Sequence, residues 1–279
     1  MKKKALLVGI NKYPGCPLNG CLNDIMLDLK VIVEQFGYTD PLNRRVLTDE
    51  SATTANILDR LNWLVSDIQA GDELFFKYSG HGAQVPCTDY ENEIEPDGLD
   101  EIICPIDLDW RDKIIKDKDL HKIFDTLPEG VKLTVILDSC HSADMLKELV
   151  NPILQPVASP NRVRCMPTPP DIMARAFGMN LKTKKMLAVP NYEDQKGILV
   201  SGCRTDQTSA DAWIQTTRRY HGALTWYANL VLSEANYKIT YQDLVAATNK
   251  KLVEAGYDQQ PQLDCADRFK TELYLGGKV

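Results

Sequence analysis

The sequence predicts an α/β protein, a three-layer α/β/α sandwich with a mainly parallel central sheet. Strand-like and helix-like segments alternate through the first eighty residues, the pattern of a parallel sheet covered on both faces. The strand-like runs, such as Ala5–Val8 and Leu133–Leu137, are mainly apolar rather than alternating, as strands buried on both sides are. Two of these runs end directly in chemically capable residues, Ser79-Gly80-His81-Gly82 and Asp138-Ser139-Cys140-His141-Ser142, and parallel strands deliver side chains to a crevice at their carboxyl ends.

Lys4 to Ile10 reads as the first strand, and Asn11 to Gly20 as a loop rich in Pro, Gly and Asn. Asn23 or Asp24 is the expected cap of a helix carrying Ile25, Leu29, Ile32, Val33 and Phe36 at helical spacing, stopped by Gly37. Arg45 to Leu47 is a short second strand. A helix opening near Thr48 or Ser51 then runs through Ile57, Leu61, Leu64 and Ile68, with Thr53-x-x-Asn56 as a weak capping signal. Glu73 to Tyr78 is the third strand.

Gln84 to Leu99 is acidic and reads as a loop, Asp100 to Pro105 as a strand, and Lys118 to Leu127 as a helix. His121 and His221 both fall in helix-like stretches with packing or surface roles. After the focal run from Val131, prolines and basic residues break up regular structure, giving a long excursion at about 145–196 with one short helix near 170–178. Ile198 to Gly202 is another strand; Gly222–Glu234 and Thr240–Glu254 are helices; Gln262–Cys265 and Thr271–Leu275 supply terminal strand material. No repeat or linker splits residues 1–279, which read as a single domain.

A net charge of −7 and a pI near 5.2 give no basic face for nucleic acid. No apolar run reaches the length of a membrane span, and the amino-terminal MKKKALLVGIN lacks a leader's cleavage pattern. Eight cysteines in 279 residues are too dilute for a disulfide scaffold and lack zinc spacing. They fit a reducing, cytoplasmic setting and a thiol nucleophile.

Carbonyl attack needs a thiolate, and an imidazole can take the thiol proton and pass it to the leaving amine. Cys140 is the expected nucleophile and His81 the expected base, brought together at one edge of the sheet. The Gly82 and Cys140 N–H groups are the expected oxyanion donors. His141 is the internal competitor for the base, but a neighbour in sequence points elsewhere.

The segments KYSGHGAQ, EPDGLDEIICPID, VKLTVILDSCHS and SGCRTDQTSADA resemble those of metacaspases, the caspase-like cysteine peptidases, over Leu6 to roughly Leu275. The resemblance implies a caspase–haemoglobinase sandwich, a His81–Cys140 dyad and cleavage of peptides or proteins after Arg or Lys by a monomeric enzyme. It places Cys21, Asp24, Ser79 and Asp138 in the primary specificity pocket, where two carboxylates attract a basic side chain. The chemistry requires no cofactor, but calcium activates many family members. Asp97 and Asp117 match ligand positions, whereas Lys116 and Lys147 stand where acidic residues are common. Two readings stay open, a calcium site on Asp97 and Asp117 or a degenerate or relocated one. Ala143 replaces a usual glycine without preventing chemistry. Arg162, Arg164, Lys184 and Lys185 are the candidate autocleavage positions in the excursion. The rival functions are a non-catalytic caspase-like regulatory module and a thiol amidase for small substrates.

Overall fold

The computed structural model describes residues 1–87, 99–140, 161–178, 197–204 and 207–278. Its centre is a six-stranded sheet in the order β12-β9-β7-β3-β1-β2. The strands are β1 (Lys3–Gly9), β2 (Arg44–Thr48), β3 (Glu73–Ser79), β7 (Lys132–Asp138), β9 (Gly197–Ser201) and β12 (Gln262–Asp264). The first five pair in parallel, and only β12 at the edge runs antiparallel, to β9.

Alternate residues of the strands feed two separate cores. Leu6 and Val8 of β1, with Leu74 and Phe76 of β3, pack against Ile57, Leu61 and Leu64 of α2 (Thr54–Val65) and Leu120 of α3 (Asp117–Phe124). Ala5 and Leu7, with Phe75, pack against Ile25 and Ile32 of α1 (Cys21–Gln35) on the other face. That face is completed by Leu224 and Val231 of α5 (Ala223–Glu234) and by Leu244 and Val245 of α6 (Tyr241–Glu254). A period of two along each strand thus produces the three layers.

Two small antiparallel sheets flank the carboxyl edge: β4 (Gly82–Pro86), β5 (Leu99–Ile103) and β6 (Ile115–Lys116), and β11 (Arg219–Gly222), β10 (Ala210–Ile214) and β8 (Arg162–Val163). Helix α4 (Pro170–Gly178) follows β8, and the short α7 (Asp267–Lys270) follows β12.

Several boundaries differ from expectation. Helix α1 starts at Cys21 after Gly20, so Asp24 lies in its first turn and is not the cap. Thr53 is the residue that caps α2, its hydroxyl accepting from the Asn56 N–H at 3.3 Å. Gln84 to Pro86 are strand, not loop, because β5 folds back on them. His221 sits in β11 rather than in a helix. Tyr274–Gly276 form a 3₁₀ turn instead of a strand. The short helix expected near 170–178 is α4.

Candidate active site

Strands β3 and β7 are neighbours, and their register sets Ser79 opposite Asp138 at the carboxyl end. His81 and Cys140 follow two residues beyond each. The large sequence separation between them is removed by this one pairing.

His81 is held from several sides. Its carbonyl accepts from Tyr78 Oη at 2.7 Å and from the Cys104 N–H at 3.0 Å, and its own N–H donates to Tyr13 Oη at 3.2 Å. The ring stacks obliquely on Tyr13. Nε2 lies 2.8 Å from the Cys16 carbonyl, which only accepts, so Nε2 carries the proton and Nδ1 is left as the basic nitrogen. Nδ1 is buried without a hydrogen-bond partner. Burial pushes the imidazole down to about 4, against the Cys16 carbonyl, which favours the charged form. The ring is therefore neutral at pH 7.

Cys140 is fully buried, clustered with Cys165 and Cys203. Its sulfur accepts from the Ser209 N–H at 2.5 Å and lies 3.4 Å from the Ser209 carbonyl. Burial, and then the neighbouring Cys203 and Cys165, push the thiol well above its ordinary range. The resting pair is thus thiol and neutral imidazole, not an ion pair.

Among the described residues Arg164 is the largest fully buried side chain, and it lies beside this pair. Its Nη2 is 2.7 Å from Asp24 Oδ2 and 3.0 Å from Asp211 Oδ1. Its Nη1 is 3.3 Å from Asp138 Oδ1 and donates to Ser79 Oγ at 2.7 Å. Three carboxylates thus converge on one guanidinium.

Backbone and hydroxyl donors hold those carboxylates. The Gly222 N–H reaches both Asp24 oxygens at 3.0 Å, and His221 Nδ1 lies 3.1 Å from Asp24 Oδ1. Ser209 Oγ and Thr225 Oγ1 bond the two oxygens of Asp138. The Asn19 and Gly20 N–H groups bond Asp211. Burial alone would raise the Asp24 carboxyl; Arg164, then His221 and Lys77, outweigh it and hold it at about 2. Gly222 is required by close approach, since a Cβ there would strike Asp138 Oδ2 and Arg164 Nη1. Cys21, its thiol pushed up by burial, lies in the same buried group.

The backbone of Arg164 is as specifically placed as its side chain. Its carbonyl accepts from the Gly82 N–H at 3.1 Å and the Cys140 N–H at 3.2 Å. Its own N–H donates to the Ser209 carbonyl at 2.9 Å. Upstream, Arg162 and Val163 pair with β10 as an added strand; downstream, the Met166 N–H donates to the Gly82 carbonyl at 2.9 Å. Arg162 itself turns its guanidinium outward to the Pro17 carbonyl.

The site draws together Cys21, Asp24, Ser79, His81, Gly82, Asp138, Cys140 and Arg164. It adds Asp211, Ser209, His221, Thr225 and the Cys16 carbonyl, which the residue pattern did not assign. Asp211 lies within the SGCRTDQTSADA segment, and that motif was its available signal. Asp97, His141, Lys147, Lys184 and Lys185 lie outside the described residues.

Asp117 stands apart from the dyad, with Oδ1 buried and unbonded. Next to it, Lys116 and Lys118 each place Nζ 2.8 Å from one oxygen of the buried Asp100. Among the described residues, two ammonium groups already occupy both oxygens of Asp100, which does not suit a divalent cation there. Among the described residues, no group of three or more His, Cys, Asp or Glu side chains could hold a metal.

A histidine and a cysteine at adjoining ends of a caspase-like parallel sheet define a cysteine peptidase of the caspase-like class. The family model described as "Metacaspase, peptidase C14 domain" matches residues 3–149. The chain belongs to the metacaspase family. It is 32% identical over 304 residues to Metacaspase-1 of Schizosaccharomyces pombe, covering 98% of this chain and 69% of that one. It is 35% identical over 297 residues to Metacaspase-1A of Aspergillus niger, covering 95% and 70%. A crystal structure of a Geobacter sulfurreducens protein superimposes with a TM-score of 0.71 at 26% identity, covering 99% of both chains. Among the described residues, no helix is long and apolar enough to cross a membrane.

Proposed function

We propose that the protein is a cysteine endopeptidase cutting after Arg or Lys, and that its first substrate is its own Arg164–Cys165 bond. The observation that carries this reading is the double seat of Arg164. Its side chain lies among Asp24, Asp138 and Asp211 while its carbonyl accepts from the Gly82 and Cys140 N–H groups. Of the four expected cleavage positions, two are described, and only Arg164 has this placement.

In this reading Cys140 Sγ swings from Ser209 onto the Arg164 carbonyl and gives its proton to His81 Nδ1. The Cys16 carbonyl holds Nε2–H and so fixes the tautomer. The two N–H groups stabilise the oxyanion where it develops. His81 then returns the proton to the Cys165 nitrogen, and the Arg164–Cys165 bond opens. Once residues 161–164 leave the groove, a basic side chain of another peptide takes the vacated pocket. An aspartate in the same position would face three carboxylates.

A monomeric enzyme is what the family resemblance implies. Eight cysteines, too dilute for a disulfide scaffold, fit a reducing, cytoplasmic setting. Calcium takes no part in these steps. Lys116 and Lys118 already supply positive charge at Asp100, so activity is expected to persist in chelator.

Two measurements test the reading. Intact mass of purified wild type beside Cys140→Ala should show a fragment ending at Arg164 only in wild type. Fluorogenic peptides with Arg, Lys or Asp before the scissile bond, assayed with calcium or chelator, should be cut after Arg and Lys alone. Identical intact chains in both proteins, and no turnover of basic peptides by folded protein, would sink it.

A further inference from the structure

We propose that this site also makes peptide bonds: Cys165 recaptures the acyl group from Cys140, so that self-cleavage is reversible. The inference rests on the self-cleavage reading and concerns the fate of the acyl group once the first bond has broken. Cleavage after Arg164 leaves Cys165 as a new amino terminus, carrying an amine and a thiol on adjacent carbons. That pair is the chemical combination that converts a thioester back into an amide.

Three features keep the pair at the acyl carbon. Cys165 is buried and packs in one cluster with Cys140 and Cys203. Its segment is pinned on the departing side: Cys165 bridges Gly82 in parallel, the Met166 N–H bonds the Gly82 carbonyl at 2.9 Å, and Thr168 Oγ1 bonds the Gln84 carbonyl at 2.5 Å. Above all, the downstream fragment cannot drift away. It contributes β9, which is paired in parallel along β7 from the upstream fragment, and β12 beyond it.

An ordinary peptidase loses its leaving amine to solvent, and water then takes the acyl group. Here the amine stays in place at an effective concentration far above that of a free peptide. Cys140 and Arg164 are fully buried and His81 nearly so, which limits the competing water.

The step balances without an outside reagent. The Cys165 thiol attacks the Arg164 carbonyl in the Cys140 thioester. The new Cys165 S–C bond forms, the Cys140 S–C bond breaks, and the proton moves from one thiol to the other through His81. The Cys165 amine then attacks the same carbonyl through a five-membered ring. The C–N bond forms, the C–S bond breaks, and the amine proton returns to the Cys165 thiol. The intact chain is restored.

The test follows release of the fragment ending at Arg164 from purified full-length wild type, Cys165→Ala and Cys140→Ala, with and without calcium, in the presence or absence of hydroxylamine. Hydroxylamine takes the acyl group from Cys140 as the Arg164 hydroxamate, which cannot return to the chain. Recapture keeps most wild-type acyl groups in the intact chain, so hydroxylamine should raise fragment release by wild type about tenfold. Cys165→Ala should release the fragment about as fast without hydroxylamine as wild type does with it, and Cys140→Ala should release none. Fragment release by wild type that hydroxylamine leaves unchanged overturns religation and leaves self-cleavage standing. Equal acceleration in wild type and Cys165→Ala overturns the part given to Cys165. Absence of any fragment ending at Arg164, as acid or hydroxamate, overturns the self-cleavage reading and this inference with it.

Discussion

The ammonium of Lys77 lies 2.7 Å from the hydroxyl of Thr225, and that hydroxyl in turn donates to Asp138. Lys77 is fully buried and also pairs with Asp28 Oδ2 at 3.3 Å. A second basic group therefore stands behind the carboxylates that hold Arg164, separated from Asp138 by a single side chain. It adds to Arg164 and His221 in favouring the charged form of Asp24.

Replacing Lys77 with Met should destabilise the protein by about 3–5 kcal/mol, because Asp28 becomes an unpaired buried charge. Adding Asp28→Asn should recover much of that loss. A urea-unfolding cycle of the wild type, the two single variants and the double variant measures it. Additive losses would mean that the two groups do not interact.

Asp211→Asn removes one of two carboxylates on Nη2 of the bound arginine. One charge-assisted hydrogen bond is worth about 1.5–3 kcal/mol, so kcat/KM for arginine peptides should fall about 10- to 150-fold. The loss should be smaller for lysine, whose single ammonium lacks the fork that bridges Asp24 and Asp211. Parallel assays on matched Arg and Lys peptides would reveal an equal loss if Asp211 were only structural.

Arg164→Gln should abolish the fragment and allow small basic peptides to be cut without a lag. It should also lower stability at neutral pH, since three buried carboxylates lose their cation. The pH dependence has a definite sign. Arg164 helps hold Asp24 at about 2, below its ordinary value of 3.8. That stabilisation is complete above 3.8 and is lost as pH falls through about 2. The gap between wild type and variant should therefore narrow in strong acid, as read by denaturant titration at stepped pH.

His81 has a linkage of the same sign in a higher pH window. Its imidazole is held at about 4, below its ordinary value of 6.5. As pH falls from about 6.5 to about 4 the unfolded chain takes a proton that the folded chain refuses, so stability drops. The drop is on the order of 3 kcal/mol. His81→Gln should flatten the curve across that window, and an unchanged slope would place the titrating group elsewhere.

The sheet, and the meeting of His81 and Cys140 at one of its edges, were legible because each is announced locally, whereas the grouping of Cys21, Asp24, Ser79 and Asp138 came from the family resemblance. Apolar runs mark buried strands, and reactive side chains stand immediately after them. Asp211, His221 and Thr225 were not legible in this way. They reach the pocket through β10, β11 and α5, whose placement depends on pairings with no signature in neighbouring residues. Asp24 shows the limit from the other side: a carboxylate at a helix start looks like a cap, and only the Gly222 and Arg164 contacts give it another use. Arg164 was one basic residue among several in an irregular stretch, and its strand pairing with β10 is what distinguishes it.

The sequence of strands along the chain also sets a timetable. Residues up to Asp138 already supply β2, β1, β3 and β7, four adjoining parallel strands. During synthesis, amino-terminal elements are free to fold before later ones exist. A growing chain therefore owns His81 and Cys140 before it owns Asp211, Gly222 or Thr225. Arg164 also leaves the ribosome ahead of Asp211, Gly222 and Thr225, so these residues pack around a guanidinium that is already present. The surroundings that bury Arg164 are thus the last part of the site to be made.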